Sequence, residues 1–282
     1  MRRETMVNRR RPLSERLGTH GVLALLAVFS GVPIIILVMN ALKTSAEVSK
    51  NPLGFPRDLT FANFPEAWSL GNYGTTILNS AIITACTVVG VWIVSGTAAY
   101  ALARLDVPRG GVVLLYLFVC TAIPQQIFLV PLFFLWAKLG LTDSLFGLIG
   151  IYVALFSPFA TLLLRSYMMA LPREFEEAAR TEGAGELRIL FSVVLPLTLP
   201  GFLTVALVSG LMAWNEFLFA ITFIQDDALK PVTTSFLAFK GQFTQDWGLT
   251  SAGALFVIAP VIILFLFMQK KFVEGLAAGG LK

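Results

Sequence analysis

The residues of this chain best placed to do chemistry are ones that dock and recognise. The densest set lies at 173–196, REFEEAARTEGAGELRILFSVVLP, which carries Arg173, Glu174, Glu176, Glu177, Arg180, Glu182, Glu186 and Arg188, with Arg165 shortly before it. Lipid cannot solvate such a run, so it must lie in water or against another protein. A second set consists of polar residues within or at the ends of apolar runs: Asn79, Gln125, Gln126 and the triplet Trp214-Asn215-Glu216. Polar groups at such places either face a cavity or hydrogen-bond helices to one another. Cys86 and Cys120 fall inside apolar runs without metal-ligand spacing and are expected as buried free thiols. His20 stands at the edge of a run, as an interfacial side chain would. No Gly-x-x-x-x-Gly-Lys-Ser/Thr phosphate loop occurs. No cofactor or metal is expected on this chain.

The elements that must position these residues follow from composition. Of 282 residues 56% are hydrophobic and 13% charged, and the mean hydropathy is +0.79; soluble domains carry about 25% charged residues. Crossing ~30 Å of hydrocarbon takes about 20 apolar residues. Apolar runs at about 21–41, 76–100, 111–135, 146–169, 197–222 and 251–269 meet that need. The expectation is an all-α integral membrane protein of about six spans, with one transmembrane domain over 21–269 and no separate soluble domain. The first run follows several arginines, as a signal peptide would, but it is too long and lacks a small-x-small cleavage site, so it reads as a retained anchor.

With the N-terminus inside, fifteen of the 21 Lys and Arg residues fall on inner segments. The positive-inside rule then places 1–20, 270–282 and the 173–196 island, between the fourth and fifth spans, in the cytoplasm. The formal charge of +4 is read as orientation, not nucleic-acid binding. Pro33, Pro124, Pro131, Pro158, Pro200 and Pro260 punctuate the runs and predict kinks. Gly90, Ser95, Gly96, Ala99 and Ala103 predict close helix approach along the second span. The outer segments 42–75 and 225–250 hold Phe64, Trp68, Tyr73, Phe243 and Trp247, read as aromatic anchors at the interface.

Within the island, Pro172 suits a first helical turn, and Glu174, Glu176 and Glu177 favour its positive end. Phe175, Ala178 and Ala179 form a narrow face of mostly small residues that lets another surface approach. Gly183 and Gly185 supply a break. A second helix is expected to bury Leu187, Leu190, Phe191 and Val194 as one stripe. The result is either a rigid bracket with one free face or an amphipathic interfacial loop.

At this point the chain resembles a known family. Glu177-Ala178-Ala179, three residues, Gly183, nine residues, then Val193-Val194-Leu195-Pro196 is similar to the EAA motif of ABC importer permeases, EAA-x3-G-x9-I-x-L-P. Val193 replaces the Ile, and Glu182 stands where Asp commonly precedes the glycine. Asn79-Ser80, Ala99-Tyr100-Ala101-Leu102-Ala103-Arg104, Pro131-Leu132, Gly140-Leu141-Thr142-Asp143, Trp214-Asn215-Glu216-Phe217 and the tail Gly275…Gly279-Gly280-Leu281-Lys282 resemble the carbohydrate-uptake, maltose-transporter branch.

The resemblance implies a permease subunit, paired with a second and different permease subunit and embedded in membrane lipid. Two ATPase subunits or domains would drive it, holding the ATP and Mg, and an extracytoplasmic solute-binding protein would deliver a sugar or sugar-like solute. It implies ATPase coupling through Glu176, Glu177, Ala178, Ala179, Arg180, Gly183, Ala184, Leu195 and Pro196. It also implies a bacterial or archaeal cytoplasmic (inner) membrane, with both termini cytoplasmic. For the pathway, Trp214 could offer a sugar an aromatic wall, with Asn79, Gln125, Gln126, Asn215 and Glu216 as hydrogen-bonding groups; inter-helix bonding is the other reading of each. The alternative function is a secondary transporter of small polar solutes, which would normally show paired ionisable residues at mid-bilayer.

Overall fold

A computed structural model describes residues 13–239 and 246–280, and all regular structure among them is helical. The first twelve residues, Phe243 and the terminal Leu281-Lys282 lie outside the described residues. In chain order the helices are α1 (Leu13–Ala41), α2 (Ser45–Lys50), α3 (Asn63–Leu70), α4 (Tyr73–Arg104), α5 (Gly110–Ala122), α6 (Leu129–Leu139), α7 (Leu145–Met169), α8 (Glu174–Thr181), α9 (Glu186–Ile189), α10 (Leu195–Leu197), α11 (Leu199–Asn215), α12 (Leu218–Phe223) and α13 (Trp247–Gly280). Between them lie tighter helical segments at Gln125–Phe128 and Val232–Phe239 and a wider one at Leu190–Val194.

Four helices are long and apolar enough to cross a membrane unbroken: α1, α4, α7 and α13, over Gly18–Ala41, Tyr73–Arg104, Leu145–Met169 and Trp247–Phe267. The expected runs at 111–135 and 197–222 are not single rods. The first bends by 94° between α5 and α6, and the apolar stretch ending in α11 bends by 80° at Thr198. The causes are local. Pro124 leads into the Gln125–Phe128 turn. Pro200 has no N–H to give the Pro196 carbonyl, and Pro196 has none to give Ser192. Pro33, Pro158 and Pro260 stay inside continuous helices. The fifth run also breaks at its far end, where Glu216 and Phe217 separate α11 from α12.

The chain folds as two compact units. The smaller joins residues up to Ala67 with a segment ending at Leu255. There Lys43 is fully buried, and its ammonium donates to Asn40 Oδ1 and the Asn51 carbonyl, both at 3.0 Å. Asn63 donates to the carbonyls of Ala41 (2.8 Å) and Lys43 (2.7 Å), and Asp246 accepts from Ser45 Oγ and the Leu249 amide.

The larger unit, Trp68–Lys240 with Phe256 onward, is built round α4. Its small residues do what their spacing predicts. A Cβ on Gly90 would lie 2.5 Å from Val153 of α7, and one on Gly96 would lie 3.0 Å from the Phe202 ring of α11. Ser95 donates to the Ser157 carbonyl of α7 at 3.1 Å, and Trp92 donates to the Phe202 carbonyl at 3.0 Å. Two expectations change. Tyr73 is not an interfacial anchor but a fully buried ring, packed with Trp68, Phe239 and Phe256 at centroid distances of 5.0–6.4 Å. The thiols are not enclosed by this chain: Cys86 is exposed, off the buried stripe of α4, and Cys120 is half-buried on the side of α5 that lines a cavity with Phe156 and Phe159.

Candidate functional site

The island folds as a helix, a turn and a second helix. Helix α8 ends where Gly183 takes φ +84°, with its amide bonded to the Arg180 carbonyl and the Ala184 amide to the Ala179 carbonyl, both at 3.0 Å. That is the Schellman arrangement, in which a left-handed residue lets two amides satisfy the last carbonyls of the helix. Ala179 and Ala184, on either side of the turn, each pack against the core. Gly185, expected to share the break, has φ −75° and needs no glycine.

Which faces are turned outward differs from the periodic reading. Phe175, Glu177 and Ala178 are exposed along α8, as are Leu187 and Phe191 beyond the turn. The buried residues are Ile189, Leu190 and Val194. Residues Leu190–Val194 form a π turn, and its extra residue brings Ile189 and Val194, five apart, to one side while rotating Leu187 and Phe191 away. Leu195 is half-buried and Pro196 exposed.

Glu176, expected among the docking residues, points inward. Its carboxylate meets Arg104 Nε at 2.7 Å, and both side chains are 3% exposed. Arg104 Nη2 also donates to the carbonyls of Met168 (2.6 Å) and Leu171 (2.8 Å), closing the end of α7. In return Arg165 of α7 donates to the Leu102 carbonyl of α4 at 3.1 Å. One turn before Arg104, the Tyr100 hydroxyl donates to Glu186 at 2.5 Å. Arg180 holds the same carboxylate through two bonds of 2.8 and 3.1 Å, which push its guanidinium pKa up from its already high value. Removing one member of a buried ion pair costs about 3–5 kcal/mol, because the other charge is left uncompensated. The bracket is therefore fastened at two points to one helix. Tyr100 and Arg104 were visible only as part of a family-like string; their i, i+4 spacing at a span end was the available signal.

The polar residues of the second set separate into two groups. Asn79 is buried and donates to the carbonyls of Ala228 (2.9 Å) and Lys230 (3.1 Å). Ser80 accepts the Val232 amide at 2.8 Å, so this end of α4 pins the segment after α12. Trp214 is buried with its indole N–H on the Val257 carbonyl at 3.2 Å, and its ring is not a free wall. Glu216 accepts from the Tyr152 hydroxyl (2.7 Å) and the amides of Phe219 (2.9 Å) and Ala220 (3.0 Å), which caps α12. These three hold helices together.

Gln125 instead lines a cavity of about 290 Å³, with Thr121, Ser209, Phe156, Phe159 and Met212 among its walls. Gln126 is exposed beside it. Asn215 is exposed, donates only to the Leu211 carbonyl of its own helix at 2.8 Å, and borders an open recess with Phe217, Thr233 and Phe236.

Asp143, with φ +51°, closes the turn before α7 and accepts the amides of Asp226 and Gln225. These bonds, that from Asp226 first, hold its carboxyl below the usual range. A depressed folded value means the tie is fully present above the ordinary carboxylate pKa of about 3.9 and is lost as pH falls through the lower folded value. Limited proteolysis at 224–229 is expected to be unchanged from pH 7 to about pH 5 and to rise steeply below about pH 4, and Asp143→Ala to show the high rate at pH 7.

The family described as "Binding-protein-dependent transport system inner membrane component" matches residues 94–276. The chain is 36% identical over 250 residues to the probable ABC transporter permease protein YurM of Bacillus subtilis, covering 89% of this chain and 83% of that one. It is 33% identical over 260 residues to the melibiose/raffinose/stachyose import permease protein MelC of Bacillus subtilis (92% and 94% covered). To the sulfoquinovosyl glycerol transport system permease protein SmoH of Agrobacterium fabrum it is 35% identical over 251 residues (89% and 88%). Among solved structures, a chain of a bacterial ABC transporter involved in importing the acidic polysaccharide alginate superimposes with a TM-score of 0.75 at 26% identity, covering 93% of this chain and 98% of that one. With its bent and unbroken membrane helices, this chain belongs to the family of inner-membrane components of binding-protein-dependent transport systems, the permeases of ABC importers.

Proposed function

We propose that the chain forms half of the translocation pathway for a sugar or glycoside and takes its power stroke through the bracket at 174–196. The observation that carries this is the bracket itself. Phe175, Glu177 and Ala178 are presented outward on a short helix whose inner side is fastened to the end of α4 by the Arg104–Glu176 ion pair, with Arg104 also bonded to the carbonyls at the end of α7. A free face on a fixed base is what a moving partner can grip. The partners are a second permease subunit, two ATPase subunits holding the ATP and Mg, and an external binding protein. Both termini and the bracket are cytoplasmic on the charge distribution along the chain. A glycoside as solute is supported by the named substrates of MelC and SmoH. Gln125, at the break between α5 and α6, supplies a hydrogen-bonding amide to a cavity with Phe156 and Phe159 rings, the pairing a sugar's hydroxyls and apolar faces require. A broken helix at membrane depth is tolerated where it lines such a cavity.

Reconstitution tests this reading. The four-part complex in proteoliposomes is expected to accumulate solute only with internal ATP and the binding protein, and to continue when ion gradients are collapsed. Uptake driven by a gradient without ATP would overturn it. In the same assay Gln125→Leu is expected to lower uptake about tenfold, the loss of one buried hydrogen bond to a polar solute. Gln126→Leu is expected to leave uptake within about twofold. Equal effects of the two would sink the pathway assignment.

A further inference from the structure

Two side chains of α4, one turn apart, reach both helices of the bracket. Arg104 meets buried Glu176 on α8 and simultaneously binds the Met168 and Leu171 carbonyls at the end of α7. Tyr100 meets Glu186 of α9, whose other oxygen is held by Arg180 of α8. Each carboxylate thus has one partner on the membrane helix, and Arg180 lies within reach of both, 4.0 Å from Glu176. The connections cross three sequence-distant segments; those made by Arg104 and Tyr100 are 2.5–2.8 Å long and at least partly shielded from water, while the Arg180–Glu186 pair is exposed. The Arg104–Glu176 ion pair is excluded from solvent, and breaking a buried pair is far costlier than breaking an exposed one, because it strands a charge.

No comparable hydrogen bond among those described ties the bracket to α11, the helix that follows it. There the chain bends by 80° at Thr198, where proline has removed amides from the ladder. The stiff route out of the bracket therefore runs through α4 and α7, and the compliant one through the covalent continuation.

We propose that Arg104–Glu176 and Tyr100–Glu186 are positioning struts that make the bracket and the α4–α7 pair move as one body, so that a displacement applied to α8 reaches the pathway through α4 and not through the chain's own next helix. This rests on the ATPase-coupling reading above. None of these four residues need touch ATP, solute or the partner ATPase; they act through α8.

The test uses the complete complex of both permeases, ATPase and binding protein in proteoliposomes, and reads solute moved per ATP hydrolysed alongside the ATPase content of the purified complex. Glu176→Gln, which keeps shape and removes charge, is expected to lower the solute-to-ATP ratio about tenfold. Glu176→Asp is expected to recover part of it, and Tyr100→Phe to lower it about threefold. A merely structural role would reduce the amount of complex and leave the ratio unaltered. An unaltered ratio in Tyr100→Phe and in whichever Glu176 variants assemble would overturn the struts. Should Glu176→Gln not assemble, Tyr100→Phe, which deletes a single hydroxyl, decides the matter by the same ratio. A wild-type complex that retains no ATPase would instead overturn the function reading, and the struts with it.

Discussion

Gly183→Leu is expected to reduce ATP-dependent uptake to about a tenth or less, while Gly185→Ala leaves it within about twofold. The reason is backbone geometry and not space. A Cβ at either position would meet nothing within 4 Å. Gly183, however, has φ +84° and Gly185 φ −75°. Holding an L residue in the left-handed region costs about 1–2 kcal/mol, a factor of roughly 5–30 in the population of the turn. That turn sets the angle between α8 and α9, and with it the distance over which Glu186 can reach both Arg180 and Tyr100. Gly183→Ala should behave as Gly183→Leu does, since the strain starts at Cβ. Normal uptake in Gly183→Leu, measured at matched protein content, would show that the turn is not what the partner ATPase works against.

Glu216→Ala is expected to give the second large effect, this time on stability. The carboxylate satisfies the Tyr152 hydroxyl and two amides at the start of α12, while the main-chain carbonyl of Glu216, which the substitution keeps, accepts from Thr233 at 2.8 Å. Removing it strands three donors in a partly buried corner, at a cost of about 2–4 kcal/mol when hydrogen bonds to a charged group are worth about 1.5–3 and neutral ones about 1. Tyr152→Phe, which loses one donor and leaves the cap, should cost about 1–2 kcal/mol. Asn215→Ala should cost less than about 1, because its amide is exposed and bonds only within its own helix. Thermal unfolding of the detergent-solubilised protein orders the three. A melting point for Glu216→Ala equal to wild type would remove the capping role, and a changed solute preference without loss of stability would return Glu216 to the pathway.

Much of this protein was legible along the chain because lipid imposes a simple code. Apolar runs of about 20 residues had to be helices, since hydrocarbon leaves no other partner for backbone amides. The small residues on α4 had to mark close packing, and Gly90 and Gly96 do. The charged island had to leave the lipid, and the Glu177–Gly183–Pro196 spacing matched a family pattern to which the chain proves to belong. Local chemistry also fixed the Gly183 turn, a capping problem solved within six residues.

What only the tertiary structure decided is which way each polar residue faces. Periodicity assumed 3.6 residues per turn through 187–194; the π turn broke that count and exchanged Leu187 and Phe191 for Ile189 on the buried side. Glu176 and Glu177 are adjacent and chemically alike, yet one is buried on Arg104 and the other is exposed, because Arg104 is supplied by a helix about seventy residues earlier. Asn79, Trp214 and Glu216 had the composition of a solute pathway but are occupied by carbonyls, amides and a hydroxyl from distant segments, while Gln125 remains on a cavity wall. A sequence states what a side chain can bond to. Whether its partner is another helix or an open cavity depends on which segments the fold brings within about 3 Å, and that is not written in the neighbourhood of the residue.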